Sequence, residues 1–229
     1  MAHINKLNYK KDFKNLKSDI IAKGIFEDEK HWTISSGQMK GKVGDLAFSF
    51  DKDEKVLFFG LGKKKDVKPE DFRRAAGSIV NFVIDKKYAS LAVECPSSDK
   101  DAYNCQAFSE GLILASYRFL DYFSDERADY HLKNITMVGT CNKNASKKGS
   151  IIANAVCDSR DLANHPGNIT TPTRLANFAK EVGKKGNMKV TVFDRDKFTK
   201  MGMGSFAAVA QGTNEPPKFI IMEYFGGPK

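Results

Sequence analysis

Three short apolar runs alternate with two long amphipathic segments between residues 56 and 139, and this alternation is the strongest constraint on the fold. The runs are Val56–Phe59, Leu91–Val93 and Ile135–Gly139. A strand that pairs in parallel with the next one needs a crossover of a dozen or more residues, which is usually a helix. The spacing therefore predicts a largely parallel sheet covered by helices.

The two connecting segments carry the signals of helices. Pro69 stands at the first position of one helix, and acidic residues follow it where negative charge suits the helix dipole. This helix is predicted to run to about Lys86, and the other from about Asp101 to Phe123. The residues expected to face the core are, in the first helix, Phe72, Ala75, Ala76, Ile79 and Val83, and, in the second, Ala107, Gly111, Leu114, Ala115 and Phe119.

Two earlier strands complete the first domain, at Ile20–Phe26 and Asp45–Phe50, with an acidic turn after the latter at residues 51–54. The polar stretch Asn142–Ser146 breaks the periodicity, so the domain is predicted to end there. We predict three parts: an α/β domain over residues 1–141, a linker and connecting helix over 142–165, and a second α/β region over 166–229.

The second region has fewer elements. A helix is predicted from Lys147 to just before Pro166, and a second helix starts with Thr171 as its cap and Pro172 at its first position. The elements predicted after it are a strand at Val190–Phe193, a short helix at Lys197–Met201, and strands at Phe206–Ala210 and Lys218–Tyr224. Because this small number of elements can bury only a small core, we expect the region to be the truncated start of a larger domain.

Composition and charge limit the class of protein. Hydrophobic residues make up 41% and charged residues 28%, which is typical of a folded soluble protein. The apolar runs are far shorter than the roughly 20 residues of a membrane helix, and the Lys-rich N-terminus lacks the apolar core of a secretory signal. The net charge of +9 comes from scattered lysines without a basic and aromatic stripe, so a nucleic-acid partner is not favoured.

The four cysteines, Cys95, Cys105, Cys141 and Cys157, are widely spaced and form no C-x-x-C pair. The interpretation favoured by this pattern is that they are small buried hydrophobes rather than ligands. Reduced cysteines are typical of the cytoplasm, which is the predicted location.

No catalytic constellation stands out. The histidines His3, His31, His131 and His165 are isolated, and there is no G-x-S-x-G motif. The turn at residues 60–65, Gly-Leu-Gly-Lys-Lys-Lys, lies between a strand and a helix, where α/β sheets bind anions. It lacks a dinucleotide or P-loop signature, so an ordinary turn is favoured.

The densest charged cluster on a predicted helix is Asp158, Arg160 and Asp161. These side chains could be metal ligands or a catalytic pair. An ion-paired helix end is the favoured interpretation, with Asn164 and Asn168 satisfying backbone groups at the elbow that follows.

Four collinear segments resemble leucyl (cytosol) aminopeptidases. They are residues 58–64 with the helix segment 72–77, the helix segment 110–119, the elbow 160–172, and residues 201–224. The resemblance implies a macro-domain-like N-terminal sheet, a connecting helix, and the start of a phosphorylase/hydrolase-like catalytic domain. It also implies an enzyme that removes N-terminal residues, leucine above all, from peptides.

The family resemblance further implies two divalent metal ions, Mn or Zn, that activate a bridging water, and a homo-hexamer in the cytoplasm. The family's ligands are a Lys, several Asp and a Glu, beginning in a Gly-Lys-Gly run after the strand that here ends near Tyr224. This chain has no such run. No catalytic, metal or substrate-binding residue is therefore assigned, and we expect residues 1–229 to bind no metal pair and to be inactive.

Two alternatives stay open at this point. One is a non-enzymatic module that binds an anion or nucleotide at the Gly60–Lys65 turn. The other is a DNA-binding accessory role, which some bacterial relatives of the family combine with peptidase activity.

Overall fold

The computed structural model describes residues 2–51, 54–96, 101–125 and 129–227. Its strands are β1 (Asn8–Lys10), β2 (Ile20–Ile25), β3 (Leu46–Asp51), β4 (Glu54–Gly60), β5 (Ser90–Glu94), β6 (Asn134–Val138), β7 (Lys189–Asp194) and β8 (Lys218–Glu223). Its helices are α1 (Trp32–Ser35), α2 (Pro69–Asp85), α3 (Ala102–Ser116), α4 (Lys143–Asn164), α5 (Pro172–Lys185), α6 (Arg195–Lys200) and α7 (Gly204–Val209). The chain forms two compact units, unit 1 (Met1–Ser159) and unit 2 (Arg160–Lys229).

The sheet of unit 1 has six strands in the order β1-β6-β5-β2-β4-β3. Four of its neighbour pairs are parallel, and β3 pairs with β4 in the antiparallel sense. The predicted largely parallel sheet is therefore confirmed. Of the acidic turn predicted at 51–54, residues 52 and 53 lie outside the described part of the chain.

The apolar run of β4 lies in the core. Val56 and Leu57 are buried, and Phe59 is fully buried with its ring stacked on that of Phe108 in α3, 5.9 Å between centroids. A strand covered on both faces needs such a continuous apolar run, which is why alternation is absent here. All five core-facing residues predicted for α2 are buried.

Helix α3 is shorter than predicted. It begins after the Asp101 cap but ends at Ser116, so the prediction of a helix to Phe123 is wrong. The cause is a contact with the chain's beginning: the backbones of Arg118 and Ala2 exchange hydrogen bonds of 2.8 and 3.2 Å, and the Ser116 hydroxyl accepts one from the Ile4 N–H. These hydrogen bonds to distant residues take the place of those that a further helical turn would form.

The five residues predicted to face the core from this segment differ in burial. Ala107 and Gly111 are buried as predicted. Leu114 and Ala115 are partly buried and pack against the core, and Phe119, also partly buried, lies beyond the end of the helix.

Helix α4 begins at Lys143, four residues before the predicted start. The polar stretch that suggested a break is the helix start itself. The Asn142 side chain accepts a hydrogen bond from the Ala145 N–H (2.9 Å), and Ser146 is fully buried with its hydroxyl bonded to that of Tyr9 (2.8 Å). Polarity here serves capping and internal hydrogen bonding rather than a loop. The predicted domain limits at residues 141 and 165 stay a prediction.

In unit 2, β7 and β8 form an antiparallel pair. Helix α5 starts as predicted, since the Thr171 side chain accepts from the Arg174 N–H. The strand predicted at Phe206–Ala210 is wrong, because these residues lie in helix α7 and at its end. The Phe206 ring packs edge-on against Phe198 (5.0 Å) and Phe219 (5.3 Å), and the alanines that follow favour a helix once that anchor is set.

None of the described helices combines the length and the apolar character needed to cross a bilayer.

Candidate functional site

The Gly60–Lys65 turn lies at the end of β4, as predicted, and is shaped by its glycines. Gly62 has a φ of +79°, which favours glycine. A Cβ at Gly60 would collide with the Lys42 carbonyl oxygen. Gly60 therefore allows a close approach of two backbone segments, and Gly62 allows the positive φ of the turn.

Four of the six backbone N–H groups of this turn donate to protein oxygens. The N–H of Gly60 donates to Asp45 O (2.9 Å), that of Leu61 to Ile25 O (3.0 Å), and that of Gly62 to Gly41 O (2.9 Å). The Lys64 N–H donates to a carboxylate oxygen of Asp28 at 3.2 Å. An anion site needs such groups to point at the ligand, so the geometry favours an ordinary turn.

The charged cluster at the end of α4 does not form one surface. Asp158 and Arg160 are exposed, whereas Asp161 is 2% exposed. The backbone carbonyl of Asp161 accepts from the His165 N–H at 3.2 Å, and the elbow continues with Ile169 donating to the Pro166 carbonyl. The elbow is thus built by local backbone hydrogen bonds.

Two of the histidines predicted to be isolated have structural contacts. His3 Nε2 bonds Asn154 Oδ1 at 3.0 Å, and His31 caps α1. Within the described ranges, the one group of three or more His, Cys, Asp and Glu side chains close enough for a metal contains only cysteines.

That group, which we call the thiol cluster, consists of Cys95, Cys105 and Cys141. Their sulfur atoms all lie within 4.8 Å of one another. Cys105 is fully buried and the other two are partly buried. Sequence reasoning missed this site because the three residues share no motif. The available signal was that Cys95 and Cys141 follow β5 and β6, two strands whose carboxyl ends meet if they are neighbours.

The thiols of the cluster are hydrogen-bonded to one another through Cys105. Hydrogen bonding with Cys141 and Cys95, and then burial, raise the pKa of Cys105 far above its usual value. The Cys105 thiol also donates to the Asn142 carbonyl at 3.4 Å.

The described residues do not fit the metal pair that the family resemblance implies. That pair needs carboxylate oxygens and a lysine, hard ligands of the kind that suit Mn. The described part of the chain offers no group of three metal ligands that includes a carboxylate. We therefore derive no catalytic step through metals from these residues.

Family models match two parts of the chain. Residues 31–126 match the N-terminal domain of the cytosol aminopeptidase family, and residues 158–229 match its catalytic domain.

Curated relatives give the same result. A probable cytosol aminopeptidase of Alkaliphilus oremlandii is 30% identical over 93% of this chain and 45% of its own length. One of Pseudomonas fluorescens is 35% identical over 86% of this chain and 42% of its own length. The chain thus spans about half the length of the curated relatives it matches.

Solved structures share the fold. The bottromycin maturation enzyme BotP in complex with Mn is 25% identical, with a TM-score of 0.78 over 91% of this chain and 45% of its own. A mutant of tomato leucine aminopeptidase superposes with a TM-score of 0.79 over 98% of this chain and 52% of its own, at 19% identity.

Proposed function

Because the chain belongs to the cytosol aminopeptidase family, we propose that it forms the N-terminal domain and the first part of the catalytic domain of a metal-dependent aminopeptidase. The reaction is hydrolysis that releases N-terminal amino acids, leucine above all, from peptides. The observation that carries the proposal is the collinear match of both family domains to one chain.

The structure supports a division of roles within this proposal. Unit 1 has a closed core with helices on its sheet, and none of its described side chains forms a carboxylate cluster. Unit 2 ends its last strand at Glu223, next to the position after which the resemblance places the metal ligands. Residues 1–229 would then supply scaffold, and the metal-binding residues would follow them.

The family resemblance also supports the finer parts of the proposal. They are two divalent ions, a homo-hexameric assembly and a cytoplasmic location. Mn is bound by the related enzyme BotP, and Mn or Zn is proposed for the complete enzyme here. We propose that residues 1–229 alone hold no such pair and hydrolyse no peptide.

The test reads the gene beyond the Lys229 codon and measures leucine release by two purified proteins. One is the full product of the reading frame and the other is residues 1–229. We expect a Gly-Lys-Gly run and a carboxylate cluster downstream, chelator-sensitive activity in the full product, and no activity in residues 1–229. Chelator-sensitive release by residues 1–229 would contradict the proposed division, and an inactive, metal-loaded full product would contradict the function.

A further inference from the structure

The thiol cluster gathers at one edge of the sheet from three different elements. Cys95 directly follows β5, Cys141 lies three residues after β6, and Cys105 is in the first turn of α3. Because β5 and β6 are parallel neighbours, their carboxyl ends meet. The backbone fixes this meeting point, since the Cys95 N–H donates to the Val138 carbonyl at 2.8 Å.

The spacing of the sulfurs suits one cation. A zinc ion binds thiolates at about 2.3 Å, so the sulfurs of a tetrahedral site lie about 3.8 Å apart. The cluster sulfurs are at most 4.8 Å apart without any ion. Closing onto a cation would require shifts of roughly 1 Å or less, which side-chain rotation supplies.

The surroundings offset the negative charge of three thiolates. Cys141 lines a cavity of about 360 Å³ together with Lys10, Lys11 and Lys143. Cys105 itself lies in the first turn of α3, where the helix dipole favours a thiolate, although the Asp101 carboxylate that caps this helix opposes it. A complex of one divalent cation with three thiolates carries a single negative charge, which the lysines lining the Cys141 cavity offset in part, whereas Glu29 and Glu94 line the cavity beside Cys95.

The cluster is also reachable from two sides. Cys141 lines the lysine cavity, and Cys95 lines a second cavity with Gly24, Glu94 and Pro96. That second cavity lies at the carboxyl ends of β2 and β5, where the strand order reverses and α/β sheets bind ligands. A cation can therefore enter without unfolding of the core.

We infer that Cys95, Cys105 and Cys141 form a trithiolate site for one thiophilic d¹⁰ cation of the Zn²⁺ type. Soft thiolate ligands select such cations over Mn and Mg. This inference goes beyond the proposed function and departs from the sequence-based interpretation that the cysteines are buried hydrophobes rather than ligands. Binding requires each thiol to lose its proton to the solvent as the sulfur–metal bond forms, so affinity increases with pH.

The experiment is a Zn²⁺ titration of the reduced chain against a chromophoric chelator. The variants Cys95→Ser and Cys141→Ser each remove one partly buried ligand. Cys157→Ser is the matched control, because Cys157 is a fully buried cysteine in α4 outside the cluster. We expect one ion per chain in the wild type and in Cys157→Ser. Affinity should fall by about 100-fold or more in the two ligand variants, since even outer-shell changes cost about 10- to 100-fold.

Co²⁺ provides a readout that does not depend on the variants' folding. Substitution by Co²⁺ in the wild type should give an intense thiolate-to-metal charge-transfer band, which Zn²⁺ then abolishes. Absence of that band would overturn the inference. So would equal Zn²⁺ affinity of wild type and both ligand variants, or a disulfide within the cluster whose reduction restores no Zn²⁺ uptake. Peptidase assays of the full product do not enter these outcomes, so this inference and the proposed function fail separately.

Discussion

Unit 1 and unit 2 are both built from strands and helices, but their strands differ in burial. In β4 the five residues from Val56 to Gly60 are all buried. No residue of β7 or β8, all of which the structure describes, is buried. Apolar strands of similar composition thus end in different environments. A six-stranded sheet with helices excludes water from its strands, whereas a two-stranded pair gains stability only from what packs on it.

Unit 2 does have a small core of its own. Phe198 is fully buried, and Ala176 and Ala179 of α5 are almost so. Phe219 of β8 packs on Phe206, which in turn packs on Phe198, and Phe219 stays partly exposed. The number of packed layers, more than the strand sequence, therefore sets how much burial of each apolar side chain contributes to stability.

The comparison is tested most directly by one truncation in each unit. Phe59→Ala should lower the free energy of unfolding by about 3–5 kcal/mol, because it empties a buried ring site. Phe193→Ala in β7, where the ring is half-buried, should cost less than about 2 kcal/mol. Urea unfolding monitored by Trp32, the chain's one tryptophan and part of unit 1, measures the first. Hydrogen exchange of β7 and β8 measures the second, and equal losses would contradict the comparison.

Glycine-to-alanine substitutions test how tightly the helices of each unit are packed. A Cβ at Gly111 would collide with the backbone carbonyl of Arg73, whereas at Gly183 the nearest atom is a methyl group of Val190. Gly111→Ala should therefore cost about 1–3 kcal/mol, and Gly183→Ala less, because a side chain can shift and a packed helix backbone cannot.

Gly77→Ala is the control for this pair. Gly77 lies in α2, and a Cβ there would meet no atom within 4 Å. Helix propensity then predicts a stabilisation of up to about 1 kcal/mol. Thermal unfolding of the three variants should rank them Gly77→Ala, Gly183→Ala, Gly111→Ala from most to least stable. Any other order would contradict the idea that backbone packing in the layered unit 1 tolerates an added Cβ less well than packing in unit 2.

The smallest expected effect is the pH dependence of folding stability, which has opposite signs for one carboxyl group in each unit. Burial raises the pKa of Glu94 in unit 1, although a hydrogen bond from the Gly24 N–H lowers it in part. Lys218 lowers the pKa of exposed Asp194 in unit 2. The raised pKa means that Glu94 favours folding below its ordinary pKa and that this contribution is lost as pH rises through the folded value. The contribution of Asp194 is present above its ordinary pKa and is lost as pH falls through the folded one.

Glu94→Gln should therefore raise the melting temperature at about pH 7, and the gain should vanish near pH 4, about the ordinary pKa of glutamate. Asp194→Asn should do the reverse, with a small loss at neutral pH that disappears in acid. Differential scanning fluorimetry across this range measures both. A Glu94→Gln gain that persists in acid would mean that its cause is packing and not charge.

Local signals determined much of the fold in advance. Pro69 and Pro172 marked the two helix starts, and the run Val56–Phe59 marked a strand buried on both faces. The predictions failed where a distant segment competes with local preference. Helix α3 ends because Ala2 pairs with Arg118, more than a hundred residues away, and residues 206–209 become a helix whose first aromatic ring packs on Phe198.

The thiol cluster shows the same limit for a site. The spacing of Cys95, Cys105 and Cys141 along the chain matches no metal-binding motif, so it did not predict that they meet. The α/β pattern, the parallel sheet and the family could be predicted from the sequence, because hydrophobic periodicity, caps and collinear segments are local and additive signals. That β5 and β6 are neighbours, and therefore which three sulfur atoms meet, became apparent only in the folded structure. Strand order arises from packing between distant segments, and no local pattern encodes it.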